Sequence, residues 1–399
     1  MEKVIKILFV YGMSDASDIP HTLRRLGYEV EEYPDKQENS VLNDKQVDGI
    51  VDTIQQKNIT HLCSIHLIYN LALAAYKAEI KYISYIWDAP YIKIYTPFGK
   101  LPNCYFCTFD RLDYERFKEV GIEHVQYSPL AVNLHQVNKW NKKINKKLQG
   151  KYINEICFVG SLYEENSYDA CVNEIPANMQ DYFLSIFEEA AFHWDGVNRI
   201  YGKTDKAILD YIKLVNPNFK IDNRLDVDDV QYFERGFLVR KVANIERIAI
   251  LNTLAETYQV SLHTTSRVGS DLLGNVKVKP PILPGEDTTM AYAGSKINLN
   301  ISLKGIEGGT PQRIMDVMAA GGFMLTNYCF ETADIFEEDK EIVMFKTPEE
   351  LMEKVDYYLN HDDERREIAR RGQQKVLECY TYEKKLKKLM DWLKVEEMC

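Results

Sequence analysis

The sequence alternates short apolar runs with segments of helical periodicity, and this alternation starts twice. Residues 4–12 form an almost continuous apolar run that ends in glycine, and residues 156–161 repeat the pattern. Such a run, closed by a small-residue turn, is typical of a parallel strand that is buried on both faces. Strands that alternate with helices favour a parallel sheet covered by helices on both sides. We therefore predict an α/β chain with two Rossmann-like domains.

The two starts of the pattern set the predicted domain boundaries. Residues 1–150 form the first domain and residues 151–380 the second, within a chain of 399 residues. Between the strands predicted at 156–161 and 260–263, residues 171–258 are mostly helical in pattern. Leu386, Leu389, Met390 and Leu393 follow the i, i+3, i+4, i+7 spacing, which predicts an amphipathic terminal helix over 381–399.

Composition and charge exclude several classes of protein. The chain is 45% hydrophobic and 27% charged, which is ordinary for a globular protein. Its 49 basic and 60 acidic residues give a net charge of -11, so we expect no nucleic-acid partner. No apolar run is long enough for a membrane span, and the N-terminus does not resemble a signal peptide. Eight scattered cysteines then predict reduced thiols in a cytoplasmic protein. The six lysines between 139 and 151 favour a solvated surface helix or linker over a phosphate-binding patch.

The glycine-rich segment at 304–322 carries most of the functional information. Gly309 precedes Thr310, which can cap a helix, and Pro311 then takes the first helical position. The free N–H groups of a helix start attract anions, and Arg313 adds a planar donor fork suited to phosphate. This combination predicts an anion site, most naturally for a diphosphate, and Asp316 would face a ribose diol one turn later. The residues equally allow Arg313 and Asp316 to pair with each other, with the glycines serving only to cap and pack.

Other candidates lie at predicted strand ends. Asp88 follows the apolar strand at 82–87, where ligands bind parallel sheets, and a carboxylate there can take a proton from an attacking hydroxyl. His66 and Asp15 are the alternatives for this base, and the residues also allow a role for Asp88 as only the cap of the next turn. On the second domain, the candidate ligand contacts are the turn of Gly160 and Ser161, the nearby Tyr163, and His263 at the end of a strand. The alternative for Tyr163 is that it only packs, and the alternative for His263 is that it belongs to a surface loop.

No metal site is predicted. Cys104 and Cys107 have metal-like spacing but lack a second pair, so they are interpreted as buried thiols on a strand. Asp226 and Asp228 follow a polar segment and are interpreted as a helix start. The first strand is not followed by a G-x-G-x-x-G turn, which counts against a dinucleotide-dependent oxidoreductase.

Several of these segments resemble one enzyme family. The letters SKINLNIS at 295–302, followed by GIEGGTPQRIMDVMAAGGFMLTN at 305–327, resemble the donor site of GT-B glycosyltransferases. The closest resemblance is to the CgeB-like, spore-maturation type, with a C-terminal domain like that of glycosyl transferases group 1. WDAP at 87–90 and YSPLAVN at 127–133 also resemble that group. The resemblance implies a GT-B fold, in which two Rossmann-like domains with parallel sheets face each other across a cleft and the terminal helix crosses back to the first domain.

The resemblance also implies roles for residues. Asp316 would hold the nucleotide ribose, and Arg313, with the turn of Gly309 and Thr310, would hold the diphosphate. Gly160 and Ser161 would form the loop facing the phosphates, and residues 276–279 would pass near the nucleobase. One position departs from the family pattern: Gly308 stands where the retaining enzymes have the first glutamate of a pair, with Glu307 adjacent. Stereochemistry therefore stays open.

The function implied is that of a bacterial hexosyltransferase-type glycosyltransferase (EC 2.4). It would move a sugar from a nucleoside-diphosphate sugar, with UDP-sugar favoured, to a surface glycan or protein acceptor, without a metal or other cofactor. Two alternatives stay open: a catalytically silent scaffold that binds nucleotide sugars, and a sugar-nucleotide epimerase of the same fold.

Overall fold

The chain divides into two compact units. Unit 1 comprises Met1–Leu134, Asp222–Asp226 and Tyr380–Cys399, and unit 2 comprises His135–Ile221 and Val227–Cys379. The computed structural model describes residues 4–12, 18–34, 41–147, 152–172, 175–216, 219–267, 272–282 and 284–396. Each unit is built on its own parallel sheet of six strands. These sheets confirm the predicted α/β class with two Rossmann-like domains.

In unit 1, helices connect the six strands. The strands are β1 (Lys6–Phe9), β2 (Glu29–Glu32), β3 (His61–Ile65), β4 (Lys81–Ile86), β5 (Cys104–Thr108) and β6 (His124–Tyr127). The helices are α1 (Asp18–Arg25), α2 (Asp44–Lys57), α3 (Tyr69–Lys77), α4 (Arg111–Glu119) and the terminal α16 (Tyr382–Glu396), with a 3-10 turn at Ile92–Ile94. The strand order is β2-β1-β3-β4-β5-β6, so the chain reverses its direction across the sheet between β1 and β3.

Unit 2 has the same plan with a longer connection after its first strand. Its strands are β7 (Asn154–Val159), β8 (Val260–His263), β9 (Lys277–Lys279), β10 (Ser295–Asn300), β11 (Met324–Asn327) and β12 (Val343–Phe345). Its helices are α5 (Leu134–Lys147), α6 (Ser167–Val172), α7 (Ala177–Ala191), α8 (Lys206–Val215), α9 (Asp229–Phe233), α10 (Val239–Ala255), α11 (Glu286–Gly294), α12 (Gln312–Ala319), α13 (Phe330–Ile335), α14 (Pro348–Asn360) and α15 (Asp362–Cys379). The strand order is β12-β11-β10-β7-β8-β9.

The connection between β7 and β8 is helical, as predicted for residues 171–258. Helices α6 to α10 pack around aromatic side chains that include Tyr168, Phe183 and Phe233. A π turn at Glu234–Leu238 joins α9 to α10. The buried Glu234 carboxylate accepts the backbone N–H groups of residues 202, 203 and 204, at 2.8, 3.0 and 2.8 Å. This bulge therefore fastens the loop before α8 to the long helix.

The main strands lie where the apolar runs predict them. The runs at 82–87, 156–161 and 297–301 correspond to β4, β7 and β10, each shifted by no more than two residues. The edge strands β6 and β12 are not predicted. All four residues of β6 are half-buried and β12 has only three residues, so neither shows a clear period.

Helix α16 packs on unit 1 through its apolar face. Leu386, Leu389 and Met390 are buried in one cluster with Phe9 of β1 and Leu23 of α1. The predicted amphipathic terminal helix is therefore confirmed, while the domain boundaries at 150 and 380 stay predictions. Helix α5, which the sequence boundary at 150 assigns to the first domain, makes contacts in unit 2: Lys143 pairs with Glu286 at 2.6 Å.

The interpretations of the cysteine and aspartate motifs are also confirmed. Cys104 and Cys107 are buried free thiols on β5. Asp228 caps α9 by accepting the N–H groups of Val230 and Gln231. Within the described ranges, no helix is both long enough and apolar enough to cross a bilayer.

Lys385 of α16 places its ammonium group against unit 1. Its Nζ donates to the carbonyl oxygens of Ser128 (3.4 Å) and Pro129 (3.1 Å), which follow β6. Although part of the residue stays exposed, burial of the ammonium group lowers the pKa of Lys385 to about 8. The unfolded chain then binds more protons than the folded chain above that pH, so this group makes stability rise with pH until the ordinary lysine pKa is passed.

We predict that the unfolding free energy of the wild type rises by about 2 kcal/mol between about pH 7.5 and about pH 9.5 relative to Lys385→Met. Urea unfolding at both pH values measures this difference. Lys388→Met, an exposed position on the same helix, is the matched control and should follow the wild type. Parallel pH profiles for the wild type and Lys385→Met would contradict the prediction.

Candidate functional site

The strand order of unit 2 creates a crevice at the carboxyl ends of β7 and β10. From β7 the chain proceeds to β8 and β9 on one side, then returns to β10 on the other side of β7. Loops that leave two such strands diverge, and ligands of open α/β sheets bind at this point. Gly160 directly follows β7 and Asn300 ends β10. We therefore expect the predicted site residues of the second domain to lie at this edge of the sheet.

Arg313 reaches this crevice from the first turn of α12. Its Nη1 donates to Asn300 Oδ1 at 2.6 Å, and its guanidinium lies over the Phe158 ring, 4.9 Å from the centroid. A Cβ atom on Gly160 would lie 2.6 Å from Arg313 Nη2, so only glycine leaves room for this guanidinium. Of the described carboxylates, none forms an ion pair with Arg313. The alternative that Arg313 pairs with Asp316 is therefore not what the structure shows.

The start of α12 differs in detail from the prediction. Pro311 is the N-cap and has no side chain that could cap the helix, and the helix begins at Gln312. Thr310 does not cap: its hydroxyl is fully buried, donates to Glu331 Oε2 at 2.6 Å and lies 3.0 Å from the Thr332 hydroxyl. The buried Thr310 hydroxyl therefore holds the turn of Gly309 and Thr310 against α13. Pro311, Gln312 and Arg313 stay half-buried, so the positive end of the helix dipole is not sealed inside the unit.

Asp316 lies one turn further along α12 and is exposed. Its Oδ1 accepts a hydrogen bond from Gln312 Nε2 at 2.8 Å. At the other end of the helix, Gly321 has a left-handed φ of 77° and turns the chain into β11, as its position in the sequence predicts. Glu307, next to Gly308, accepts from Asn198 Nδ2 at 2.9 Å.

Strand β8 brings His263 beside the turn after β7. The N–H of Gly160 donates to the His263 carbonyl at 3.0 Å. The His263 ring places Nδ1 2.9 Å from the Pro280 carbonyl, and its Nε2 is buried and has no hydrogen-bond partner among the described residues. Burial lowers the pKa of His263, which favours the neutral form of the ring. With Nδ1–H donating to that carbonyl, Nε2 is left as an acceptor.

Ser161 and Tyr163 form the rest of this turn. Ser161 Oγ accepts the N–H of Tyr163 at 3.0 Å, and Ser266 Oγ accepts the N–H of Leu162 at 2.9 Å. Tyr163 has a left-handed φ of 55°. Thus Gly160, Ser161, Tyr163, His263 and Arg313 lie together at the crevice. Residues 277–279 form the edge strand β9, beyond β8, and their predicted proximity to a nucleobase stays a prediction.

Arg247 of α10 is a residue at this crevice that the sequence interpretation missed. It is 3% exposed, and its guanidinium lies 5.3 Å from the Phe158 centroid and 4.9 Å from that of Tyr163. Burial, together with the charge of Arg313, lowers the pKa of Arg247. The missed signal is a charge within the apolar stripe formed by Ala243, Ile250 and Leu254, because charged residues are rarely buried without a reason.

Unit 1 brings two of its three predicted base candidates together. His66 follows β3 and Asp88 follows β4, and His66 Nε2 lies 3.2 Å from Asp88 Oδ2. The histidine side chain is 12% exposed and the aspartate side chain 75% exposed. The His66 ring stacks on Tyr91, with centroids 5.0 Å apart. Asp15, the third candidate, lies outside the described residues.

The described part of the chain contains no group of three or more histidine, cysteine, aspartate or glutamate side chains arranged to hold a metal ion. Asp226, from the motif weighed as a possible metal ligand, pairs with Lys100 at 2.8 Å instead.

Comparison with known proteins finds a family match for part of the sequence and similar structures for the whole fold. Residues 241–391 match a family described as "Glycosyl transferase-like". None of the curated proteins matches the chain at a significant level. The structure is similar to Anabaena Alr3699/HepE in complex with UDP-glucose, with 12% identity, a TM-score of 0.53, and coverage of 98% of this chain and 100% of that chain. It is also similar to a glycosyltransferase from Rickettsia africae ESF-5 (11% identity, TM-score 0.50, 97% of both chains).

A third similar structure is sucrose-phosphate synthase from Thermosynechococcus elongatus, with 8% identity, a TM-score of 0.52, and coverage of 99% of this chain and 100% of that chain. At these identities the likeness concerns the fold. The chain has the two-domain GT-B fold, and its residues 241–391 are similar to glycosyltransferase-like domains. The resemblance found in the sequence is confirmed to that extent.

The close approach of Gly160 and Arg313 gives a direct test of this geometry. We predict that Gly160→Ala displaces the guanidinium from Asn300 and lowers the unfolding free energy by only about 1 kcal/mol, because the end of a flexible side chain can move away. A crystal structure of the variant and urea unfolding check both parts. In Gly49→Ala the new Cβ would lie 3.7 Å from Tyr33 Oη, so this control should fold without displacement. An unmoved Arg313 in Gly160→Ala would contradict the prediction.

Proposed function

We propose that the protein is a glycosyltransferase of the hexosyltransferase type. It transfers a sugar from a nucleoside-diphosphate sugar, with UDP-sugar favoured, to a surface glycan or protein acceptor. The observation that carries this proposal is the position of Arg313, whose guanidinium lies at the β7–β10 crevice beside the start of α12 and forms no ion pair with a described carboxylate. The match of residues 241–391 to a glycosyltransferase-like family supports the reaction class.

The donor is assigned to unit 2. The Arg313 guanidinium and the helix start after Thr310 would hold the diphosphate, because both present N–H donors and positive charge to phosphate oxygens. Gly160 and Ser161 would face the phosphates, and the exposed Asp316 carboxylate would accept hydrogen bonds from the ribose hydroxyls. Gly309, Tyr163 and His263 complete the proposed donor contacts. His263 would accept a hydrogen bond from the donor through Nε2.

The chemistry needs a group that stabilises the departing nucleotide. As the bond between the anomeric carbon and the β-phosphate oxygen breaks, negative charge grows on the diphosphate. A fixed guanidinium and helix dipole stabilise that charge without reorganising during the step. This donor set supports our proposal of a metal-independent reaction with no further cofactor.

The proton of the acceptor hydroxyl must also be removed as its oxygen attacks the anomeric carbon. We assign this step to Asp88 of unit 1, with His66 as the alternative base. The Asp88 carboxylate is mostly exposed and therefore accessible to an acceptor, while His66 Nε2 can hold one of its oxygens in place at 3.2 Å. Asp15 remains a third candidate.

The identity of the donor rests on similar proteins. Alr3699/HepE was crystallised with UDP-glucose, and we extend uridine to this chain on that basis. The CgeB-like subtype and a bacterial surface acceptor follow from the sequence resemblance alone. A cytoplasmic location is proposed because the seven described cysteines are free thiols, as is usual in a reducing compartment.

Incubation with a panel of sugar nucleotides, with and without glycoside and peptide acceptors, tests the function. Release of nucleoside diphosphate only when an acceptor is present is the expected result. Binding without turnover would favour the silent scaffold instead. Conversion of the sugar without an acceptor would favour the epimerase.

We predict that Arg313→Ala weakens UDP binding by about 10- to 100-fold, since a hydrogen bond to a charged group contributes about 1.5–3 kcal/mol. Isothermal calorimetry measures the affinity. Arg366→Ala, at a side chain that is 74% exposed on α15, is the matched control and should bind UDP as the wild type does. Unchanged UDP affinity in Arg313→Ala would remove this residue from the donor site.

Asp88→Asn should lower kcat by about 100- to 10,000-fold, the usual contribution of a positioned base, while the affinity for the donor stays near that of the wild type. Steady-state kinetics and calorimetry separate the two effects. Asp48→Asn, at a side chain that is 68% exposed in the same unit, should leave both unchanged. Turnover retained by Asp88→Asn would end its candidacy as the base.

A further inference from the structure

Arg247 connects the two loops that border the crevice of unit 2. Its Nη1 donates to the carbonyl of Ser161, just after β7, at 2.6 Å, and its Nη2 donates to the carbonyl of Ile301, just after β10, at 2.7 Å. One planar group therefore fixes the distance between the two loops. A lysine ammonium could not make this paired contact in the same geometry.

The charge of Arg247 has no hydrogen-bonded counter-ion among the described side chains. Glu246, its neighbour in sequence, is buried, but the Glu246 carboxylate accepts from Trp194 Nε1 and lies 3.3 Å from Lys304 Nζ. The positive charge of Lys304 thus offsets the negative charge of Glu246, the carboxylate next to Arg247 in the sequence. Arg247 and Arg313 both lie within 5.3 Å of the Phe158 centroid, so two guanidinium groups share one ring.

Keeping two like charges together away from water is costly unless an anion joins them. The lowered pKa of Arg247 reflects that cost, because burial and the charge of Arg313 both disfavour the charged form. Arg313 is half-buried and can therefore be reached by an anion from solvent. The diphosphate of the proposed donor carries charge on both phosphoryl groups and would relieve this repulsion.

We infer that Arg247 is a positioning residue of the donor site, which holds the loops after β7 and β10 in place and adds a second positive charge beneath the diphosphate. This inference rests on the proposed function, in that it concerns the same site. Arg247 would act on the anionic part of the ligand in two ways: through the electric field of its charge, and by holding the backbone at Ser161 and Ile301. It would not contact the sugar.

Inorganic pyrophosphate and uridine, each titrated by calorimetry or by nuclear magnetic resonance, test this inference. Arg247→Gln keeps a hydrogen-bond donor but removes the charge. We expect it to weaken pyrophosphate binding by at least about tenfold, because partly buried charges interact strongly over such distances, and to change uridine binding little. A purely structural residue would instead weaken both ligands equally, and that result, like unchanged pyrophosphate affinity, would overturn the inference.

Arg365→Gln is the matched control. Arg365 is also a buried arginine of unit 2, and its Nη1 donates to the Tyr358 carbonyl at 2.7 Å. Its loss should lower stability without selectively weakening pyrophosphate binding. If Arg247→Gln does not fold, Arg247→Lys supplies the comparison. This variant keeps the charge but loses the paired contact, so it should bind pyrophosphate more weakly than the wild type and still be stabilised by pyrophosphate. A complete loss of that stabilisation would overturn the role of charge.

The test separates this inference from the proposed function. Wild-type protein that binds pyrophosphate through Arg247 but turns over no sugar nucleotide would keep the anion site and refute the glycosyltransferase. Wild-type protein that binds no pyrophosphate at millimolar concentration would overturn the inference, whatever the protein's activity.

Discussion

The position of the Arg313 guanidinium is the constraint on which the rest of unit 2 depends. It requires a glycine at the end of β7, an amide acceptor at the end of β10 and an aromatic ring beneath it, supplied by Gly160, Asn300 and Phe158. These residues come from different strands, and the strand order brings them to one edge because β7 and β10 are neighbours. The topology of the sheet thus assembles a cationic site from parts that are far apart in the sequence.

This local charge contrasts with that of the whole chain. The net charge of -11 would repel an anion at long range, yet the crevice concentrates two guanidinium groups and the positive end of α12. Partial burial strengthens the short-range effect of these groups, because water and salt screen buried charges less than exposed ones. A local cationic site on an acidic chain is compatible with the proposed nucleotide-sugar donor and unfavourable for an extended polyanion such as a nucleic acid.

How much of this the sequence predicts depends on whether the signal is local. The apolar runs predict β4, β7 and β10 because a strand buried on both faces is a short continuous run of apolar residues. The segment around Arg313 is likewise continuous in sequence. Side-chain direction is not local. Thr310 has the residue type of a cap, but the buried Glu331 accepts its hydroxyl and turns it inward. Arg247 gave only a faint signal, since its partners at 161 and 301 lie 86 and 54 residues away along the chain.

In the proposed mechanism, Asp88 or His66 of unit 1 would take the acceptor proton, and the cations of unit 2 would stabilise the leaving diphosphate. A crystal structure of the protein with UDP tests the position of the diphosphate most directly. We expect phosphate oxygens within hydrogen-bond distance of the Arg313 guanidinium and of the backbone N–H groups that begin α12. UDP bound elsewhere, or with its phosphates directed away from that helix, would contradict it.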